Sequence, residues 1–73
     1  MYYLRDEKGV LKATISNDVA LLIIEQRRGT FFANMENKTC FRIEEDTAAT
    51  ARIGPNQSKI EIYLWRGDYL EPA

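Results

Sequence analysis

Residues 59–65 constrain the fold of this chain more than any other segment, because apolar and polar side chains alternate along them. A period of two is typical of a β-strand with one buried face, and it places Ile60, Ile62 and Leu64 on that face. The segment therefore predicts the closing strand of a β-sheet, with its second face turned toward solvent.

Apolar alternation and turn residues predict further strands. The predicted strands cover residues 2–5, 10–15, 30–35, 39–44 and 59–65. The first two form a hairpin around a turn that ends in Gly9, and the next two form a second hairpin in which Phe41 and Ile43 share a face. A turn over residues 66–68 then leads into residues 69–73, which we expect to be a short tail.

Residues 19–28 are open to two interpretations. As a helix, the segment follows N-cap candidates at residues 16–18, carries two arginines in its last turn and ends before Gly29 at the C′ position. As a strand, residues 20–24 would be buried on both faces and a hairpin turn would follow. The residue types favour the helix.

A second short helix is predicted over residues 48–53, with residues 45–47 as its cap and Gly54 followed by Pro55 as its stop signal. We therefore expect an α+β fold in a single domain of 73 residues. Its antiparallel sheet has four to five strands and is accompanied by one or two short helices. A small all-β barrel is the alternative.

The composition argues against an enzyme. The chain has no histidine and one cysteine, Cys40, so the commonest general base is missing and the thiol has no imidazole to activate it. Cys40 lies in a predicted strand, where burial is the expected role. The carboxylates at 44–46 lack the spacing of a calcium loop, and the glycines form no phosphate-binding loop. We expect no catalytic residue, cofactor or metal.

The same features indicate a cytoplasmic protein. A single cysteine excludes an internal disulfide, which suits a reducing compartment. No apolar signal segment opens the chain, and the longest apolar run, residues 19–24, is too short to span a membrane. The net charge of −1 provides no global attraction for nucleic acid.

By elimination, the aromatic side of the closing strand is the best functional candidate. Trp, Tyr and Arg are the residue types enriched at protein interfaces. The partner-binding candidates are Tyr63, Trp65, Arg66, Tyr2, Tyr3, Arg27 and Arg28. Tyr2 and Tyr3 extend the surface only if the first strand lies beside the closing one.

Two structural alternatives compete with this interpretation. The sheet could be covered on both faces, so that Tyr63 and Trp65 belong to the core, or the two rings could pack against Tyr69 and the tail. A functional alternative is a single-stranded nucleic-acid-binding domain that uses the same aromatic and arginine side chains, although nearby carboxylates dilute its positive charge. A third possibility is an assembly subunit that pairs through an exposed strand edge.

In outline, the chain resembles the small RNA-polymerase-binding transcription regulators that lytic phages, such as those of Xanthomonas, make to redirect host transcription. The resemblance lies in the length, the start Met1-Tyr2-Tyr3-Leu4-Arg5, the absence of histidine and the C-terminal part that carries Trp65. It implies a non-enzymatic protein that docks on the β and β′ subunits of bacterial RNA polymerase. Such a protein would hinder promoter engagement by the σ factor and favour read-through of terminators. The resemblance assigns no individual residue to that role.

Overall fold

A computed structural model describes residues 1–53 and 58–73, with side-chain surroundings for residues 1–50 and 61–73. The elements are β1 (Tyr2–Arg5), β2 (Leu11–Ile15), α1 (Asn17–Glu25), β3 (Gly29–Ala33), β4 (Thr39–Ile43), β5 (Thr47–Ile53), β6 (Ser58–Leu64) and β7 (Tyr69–Pro72). Five strands form an antiparallel sheet in the order β2-β1-β7-β4-β3, and β5 pairs with β6 in a separate hairpin. The predicted α+β class is confirmed, and the sheets are open rather than closed into a barrel.

Both predicted hairpins of the large sheet are confirmed. β1 pairs with β2 and β3 pairs with β4, each in antiparallel orientation. The side chains of Asp6 and Asn34 shape the two connecting turns, because each accepts hydrogen bonds from the backbone N–H groups two and four residues further along, at 2.8–3.0 Å. The polar turn residues thus set the register of both hairpins.

The prediction of a tail over residues 69–73 is wrong, because β7 is the central strand of the large sheet. It pairs with β1 on one side and with β4 on the other. Leu70 is buried opposite both Leu4 and Phe41. A strand of four residues is too short for its alternation to stand out in the sequence.

The prediction of a helix over residues 48–53 is also wrong, because this segment belongs to β5. The prediction was based on the capping residues 45–47 and on the stop signal after residue 53, and the helix propensity of alanine agrees with it. Pairing with β6 along the whole strand outweighs that local preference. Ala49 is buried whereas Ala48 and Thr50 are exposed, which is the alternation of a strand expressed in small side chains. The predicted stop signal at residues 54–55 lies outside the described residues.

The helix interpretation of the segment after Ser16 is confirmed, and so is an N-cap within residues 16–18, but the helix ends at Glu25, so the two arginines predicted for its last turn lie beyond it. Ser16 is the N-cap of α1. Arg27, rather than Gly29, takes the left-handed conformation after the helix, with φ of 55°. Gly29 instead starts β3, where a Cβ atom would lie 2.1 Å from the carbonyl oxygen of Arg42. In the described part of the chain, no helix is long and apolar enough to cross a membrane.

One apolar core covers a single face of the large sheet. Its buried members are Leu4, Ile15, Ala20, Ile23, Phe41, Ile43, Ala49, Leu64 and Leu70. They come from α1, from the β5–β6 hairpin and from four strands of the large sheet. The helix and the hairpin therefore pack against the same face. The prediction that β6 closes the sheet is wrong, because β6 pairs with β5 in the separate hairpin and β7 is the last strand.

Candidate protein-binding site

Tyr63 and Trp65 lie on the exposed side of the chain at the end of β6. Tyr63 is 64% exposed and Trp65 is 59% exposed, whereas Leu64 between them is 1% exposed. These values disagree with both structural alternatives, in which the rings are part of the core or are covered by the last residues. Ile60, which was predicted to share the buried face, lies outside the residues whose side chains are described.

The two aromatic side chains border an open, mainly apolar cavity of about 260 Å³. The lining residues are Asp46, Thr47, Ala48, Tyr63, Leu64 and Trp65. Ala48 lies directly opposite Tyr63 in the hairpin, and its small side chain leaves the space next to the ring open. A cavity of about 150 Å³ is large enough to hold a benzene molecule. This cavity therefore has room for one large apolar side chain of a partner.

Two carboxylates hold the backbone that carries the Trp65 ring. The N–H of Trp65 donates to Oδ2 of Asp68 at 2.9 Å, and the N–H of Arg66 donates to Oδ1 of Asp46 at 2.7 Å. Lys12 Nζ lies 2.6 Å from the same oxygen of Asp68, whose side chain is only 4% exposed. Hydrogen bonds to an ionised carboxylate are stronger than those between neutral groups. These contacts therefore fix the backbone conformation at Trp65.

The same turn is joined to the large sheet. The N–H of Gly67 donates to the carbonyl of Ile43 at 2.9 Å, and the N–H of Ile43 donates to the carbonyl of Asp68 at 2.8 Å. Gly67 has a φ of 95°, which favours glycine. The turn that carries Trp65 is therefore hydrogen-bonded to the end of β4, and its position does not depend on the β5–β6 hairpin alone.

The structure brings Arg28 and Arg66 to this surface but leaves Arg27 outside the cavity wall. Nη1 of Arg28 donates to Oγ1 of Thr47 at 2.5 Å, and Thr47 is part of the wall. Arg66 is exposed next to Trp65. Arg27 is exposed after α1. The apolar cavity thus has a polar rim with charges of both signs.

Tyr2 and Tyr3 do not extend the surface, because the required neighbour relationship is absent. β1 pairs with β2 and β7, whereas β6 pairs with β5. Tyr2 is half-buried and packs against the core. Tyr3 points to the opposite face of the large sheet, where the guanidinium of Arg5 lies 5.4 Å from its ring centre.

Sequence reasoning missed the residues that support the site. Residues 46–48 were assigned to a helix and its cap, so Asp46 and Ala48 were not recognised as part of a strand-based surface. Asp68 was placed in the predicted turn over residues 66–68 and counted as a charge that opposes nucleic acid, but it was not recognised as an acceptor for the backbone N–H of Trp65. The available signal was its position in a four-residue turn with glycine in third place, where an Asp side chain can bond back to the backbone.

Cys40 is buried, as expected, and its environment disfavours the thiolate. Burial raises the pKa of the Cys40 thiol above its ordinary value of 9.0, and the negative charge of Glu71 raises this pKa further. The thiol is therefore protonated at neutral pH, which makes it a poor nucleophile. Among the described residues, no group of three or more histidine, cysteine or acidic side chains is placed to hold a metal ion.

Comparisons of the chain with protein-family models, with curated proteins and with solved structures find no match. The inference of a function therefore depends on the surface features themselves.

Proposed function

We propose that this protein is a non-enzymatic protein-binding regulator and that Tyr63 and Trp65 are its main partner contacts. The proposal depends on one observation: two large aromatic side chains are more than half exposed beside an apolar cavity. Exposed apolar surface with a polar rim is typical of interaction sites. Tyrosine, tryptophan and arginine are also the residues at which binding free energy concentrates.

The fixed backbone of the turn supports this role. Association costs free energy for every flexible segment that becomes ordered. The hydrogen bonds to Asp46 and Asp68 hold the chain on either side of the Trp65 ring before a partner arrives. The ring can therefore bind with little further ordering of the backbone.

Bacterial RNA polymerase, bound through its β and β′ subunits, is the partner that we propose, and the bacterial cytoplasm is the compartment. The resemblance of the chain to phage transcription regulators supports both statements. On this proposal the bound protein inhibits σ-dependent initiation and promotes antitermination.

The double variant Tyr63→Ala with Trp65→Ala tests the site. It should keep its fold and bind purified core RNA polymerase at least about 30-fold more weakly, since a single hot-spot residue contributes about 2 kcal/mol or more. Met35→Ala is the matched control, because Met35 is a fully exposed apolar residue in the β3–β4 turn. Unchanged affinity of the double variant would place the site elsewhere, and unfolding would assign the two rings to the core.

Purified components test the target separately from the site. The wild-type chain should co-elute with core RNA polymerase, reduce the binding of σ and increase terminator read-through in a reconstituted assay. If the wild-type chain shows no retention by the core enzyme, the proposed target is wrong.

A further inference from the structure

The large sheet ends in two edge strands, β2 and β3, and only β2 is protected against pairing with another chain. β2 carries Lys12 as an extra residue opposite the step from Leu4 to Arg5. A bulge and a lysine are common devices that keep an edge strand from pairing further. β3 has neither, because residues 29–33 are uncharged and contain no proline and pair with β4 in an unbroken register.

The outer side of β3 presents backbone groups that have no strand partner. On the inner side, the carbonyl of Arg28 accepts from the N–H of Glu44 at 2.9 Å. At the other end of the strand, the N–H of Asn34 donates to the carbonyl of Lys38 at 3.1 Å. Successive residues of a strand direct their backbone groups to alternate sides, and no described strand pairs with the outer side. The residues whose backbone groups point outward are Gly29, Phe31 and Ala33.

The centre of this edge carries an exposed aromatic ring. Phe31 is 60% exposed, although it lies on the core side of the sheet opposite Phe41, whose ring centre is 5.0 Å away in edge-to-face contact. The nearest residues of β3 on the same side are Gly29 and Ala33. The edge therefore presents one large apolar side chain between two small residues.

We infer that β3 pairs with β3 of a second copy of this chain, antiparallel and around a two-fold axis at Phe31. In this register the outward backbone groups of residues 29, 31 and 33 meet those of residues 33, 31 and 29, so each N–H faces a carbonyl. The two five-stranded sheets then join into one continuous sheet. The inferred contact includes neither Tyr63 nor Trp65, so it is independent of the proposed protein-binding site.

The side chains along the edge are complementary to themselves in this register. Phe31 lies opposite Phe31 of the second copy, and directly opposed residues have Cβ atoms about 5 Å apart. Gly29 lies opposite Ala33, so no large side chain competes with the two rings for space. Each ring covers exposed surface of the other, and aromatic pairs across strands stabilise a sheet. A two-fold dimer requires a self-complementary patch of this kind.

The charges at the two ends of β3 also favour a second copy. Arg27 and Arg28 precede the strand and Glu36 follows it, and all three side chains are exposed. Antiparallel pairing brings the two arginines of each copy close to Glu36 of the other, and the two-fold axis repeats this contact. None of the ion pairs among the described residues includes either arginine.

The remaining charges near these ends do not oppose the approach of a second copy. Glu25 precedes the arginines in the chain, and Glu44 is paired with Arg28 through the backbone. Lys38 Nζ lies 3.7 Å from Oε2 of Glu36. Each end is therefore close to neutral, and the opposite charges of Arg27, Arg28 and Glu36 meet without a net repulsion between the copies.

Sedimentation equilibrium of the full chain tests the inference. Two paired strands of five residues bury less surface than the roughly 1,200 Å² at the lower end of stable complexes, so we expect a weak dimer with a Kd of about 0.1–1 mM. The backbone N–H groups of Phe31 and Ala33 should exchange with solvent more slowly as the protein concentration rises, because the dimer provides their acceptors.

Phe31→Lys should weaken the dimer at least about tenfold, because it removes the ring pair and places two like charges opposite each other. Leu11→Lys is the matched control, since Leu11 is 50% exposed on the other edge strand, and it should leave the dimer unchanged. Glu36→Arg should also weaken the dimer. Adding Arg27→Glu and Arg28→Glu to Glu36→Arg should restore it, because opposite charges meet again.

Three results would overturn the inference: a monomer at every concentration up to several times the expected Kd, a dimer that Leu11→Lys disrupts and Phe31→Lys does not, or amide protection that rises with concentration elsewhere but not at Phe31 and Ala33. Amide exchange uses the wild-type chain, so it decides the question even if Phe31→Lys fails to fold. Tyr63→Ala with Trp65→Ala should still form the dimer, which separates this inference from the proposed function.

Discussion

Oδ2 of Asp68 accepts a hydrogen bond from the backbone N–H of Trp65 at 2.9 Å and lies 2.6 Å from Nζ of Lys12. One carboxylate oxygen therefore connects β2, the turn after β6 and the start of β7. The backbone position of Trp65 thus depends on a buried carboxylate that is paired with an exposed lysine, so binding and stability are coupled at Asp68.

Asp68→Ala should lower the free energy of unfolding by about 2–3 kcal/mol, because the N–H of Trp65 and the ammonium of Lys12 both lose their partner. Asp68→Asn keeps an acceptor oxygen for the N–H and should cost less. Urea denaturation of the three proteins measures the difference. A change within about 0.5 kcal/mol for Asp68→Ala, the range of an ordinary surface substitution, would contradict this account of the turn.

Ala48→Asp and Ala49→Asp form a matched pair that separates the cavity from the core. Ala49 is buried opposite Ile62, so a carboxylate there should destabilise the fold by several kcal/mol or unfold it. Ala48 is exposed opposite Tyr63, so the same substitution should preserve the thermal transition but weaken partner binding by occupying the cavity. Circular dichroism and a binding assay measure the two effects. Equal destabilisation by both changes would contradict the strand assignment of β5.

Arg27→Gly should stabilise the protein by about 0.5–1 kcal/mol. Arg27 has a φ of 55°, a left-handed conformation that costs a non-glycine residue about 1–2 kcal/mol, of which the greater backbone entropy of unfolded glycine offsets a part. Arg27→Ala keeps the unfavourable conformation and should show no such gain. Thermal unfolding of both variants measures this difference, and a lower midpoint for Arg27→Gly than for Arg27→Ala would contradict the prediction.

The Cys40 thiol should make the stability of the protein depend on alkaline pH. Because its pKa is raised in the folded state, the unfolded chain loses the thiol proton first as the pH rises. The contribution of Cys40 is therefore fully present below its ordinary value of 9.0 and is lost as the pH rises toward the folded-state pKa. Urea unfolding of wild type and Cys40→Ala at pH 8 and pH 10 measures this component. The difference between the two proteins should shrink at the higher pH, and a constant difference would contradict the prediction.

The hairpins and the helix could be predicted because their signals are local. The alternation around Leu64 and the capping side chain of Ser16 each specify a conformation within a few residues. β7 could not be predicted in this way, because its role depends on pairing with residues about as far away as the chain allows, such as Leu70 with Leu4. β5 was missed because Ala49 is small enough to suit either a helix or a buried strand position.

The candidate site was predictable to a similar extent. Tyr63 and Trp65 were identified, since alternation alone places them on the outer side of β6. Asp46 and Asp68 were not, because their importance lies in which backbone N–H groups they reach in the folded protein. Tyr3 was assigned to the wrong surface for the same reason: strand order, rather than strand identity, decides which side chains meet.

The central position of β7 has a consequence for synthesis on the ribosome. β1 and β4 are connected within the sheet only through β7, so a nascent chain that lacks residues 69–72 can form at most two unconnected hairpins from the large sheet. Until the last strand emerges, the two hairpins lack Leu70, which lies opposite both Leu4 and Phe41. Joining them closes a loop of nearly the whole chain, and contacts of such high sequence separation slow folding. We therefore expect the large sheet to be completed late, after residues 69–72 have been synthesised.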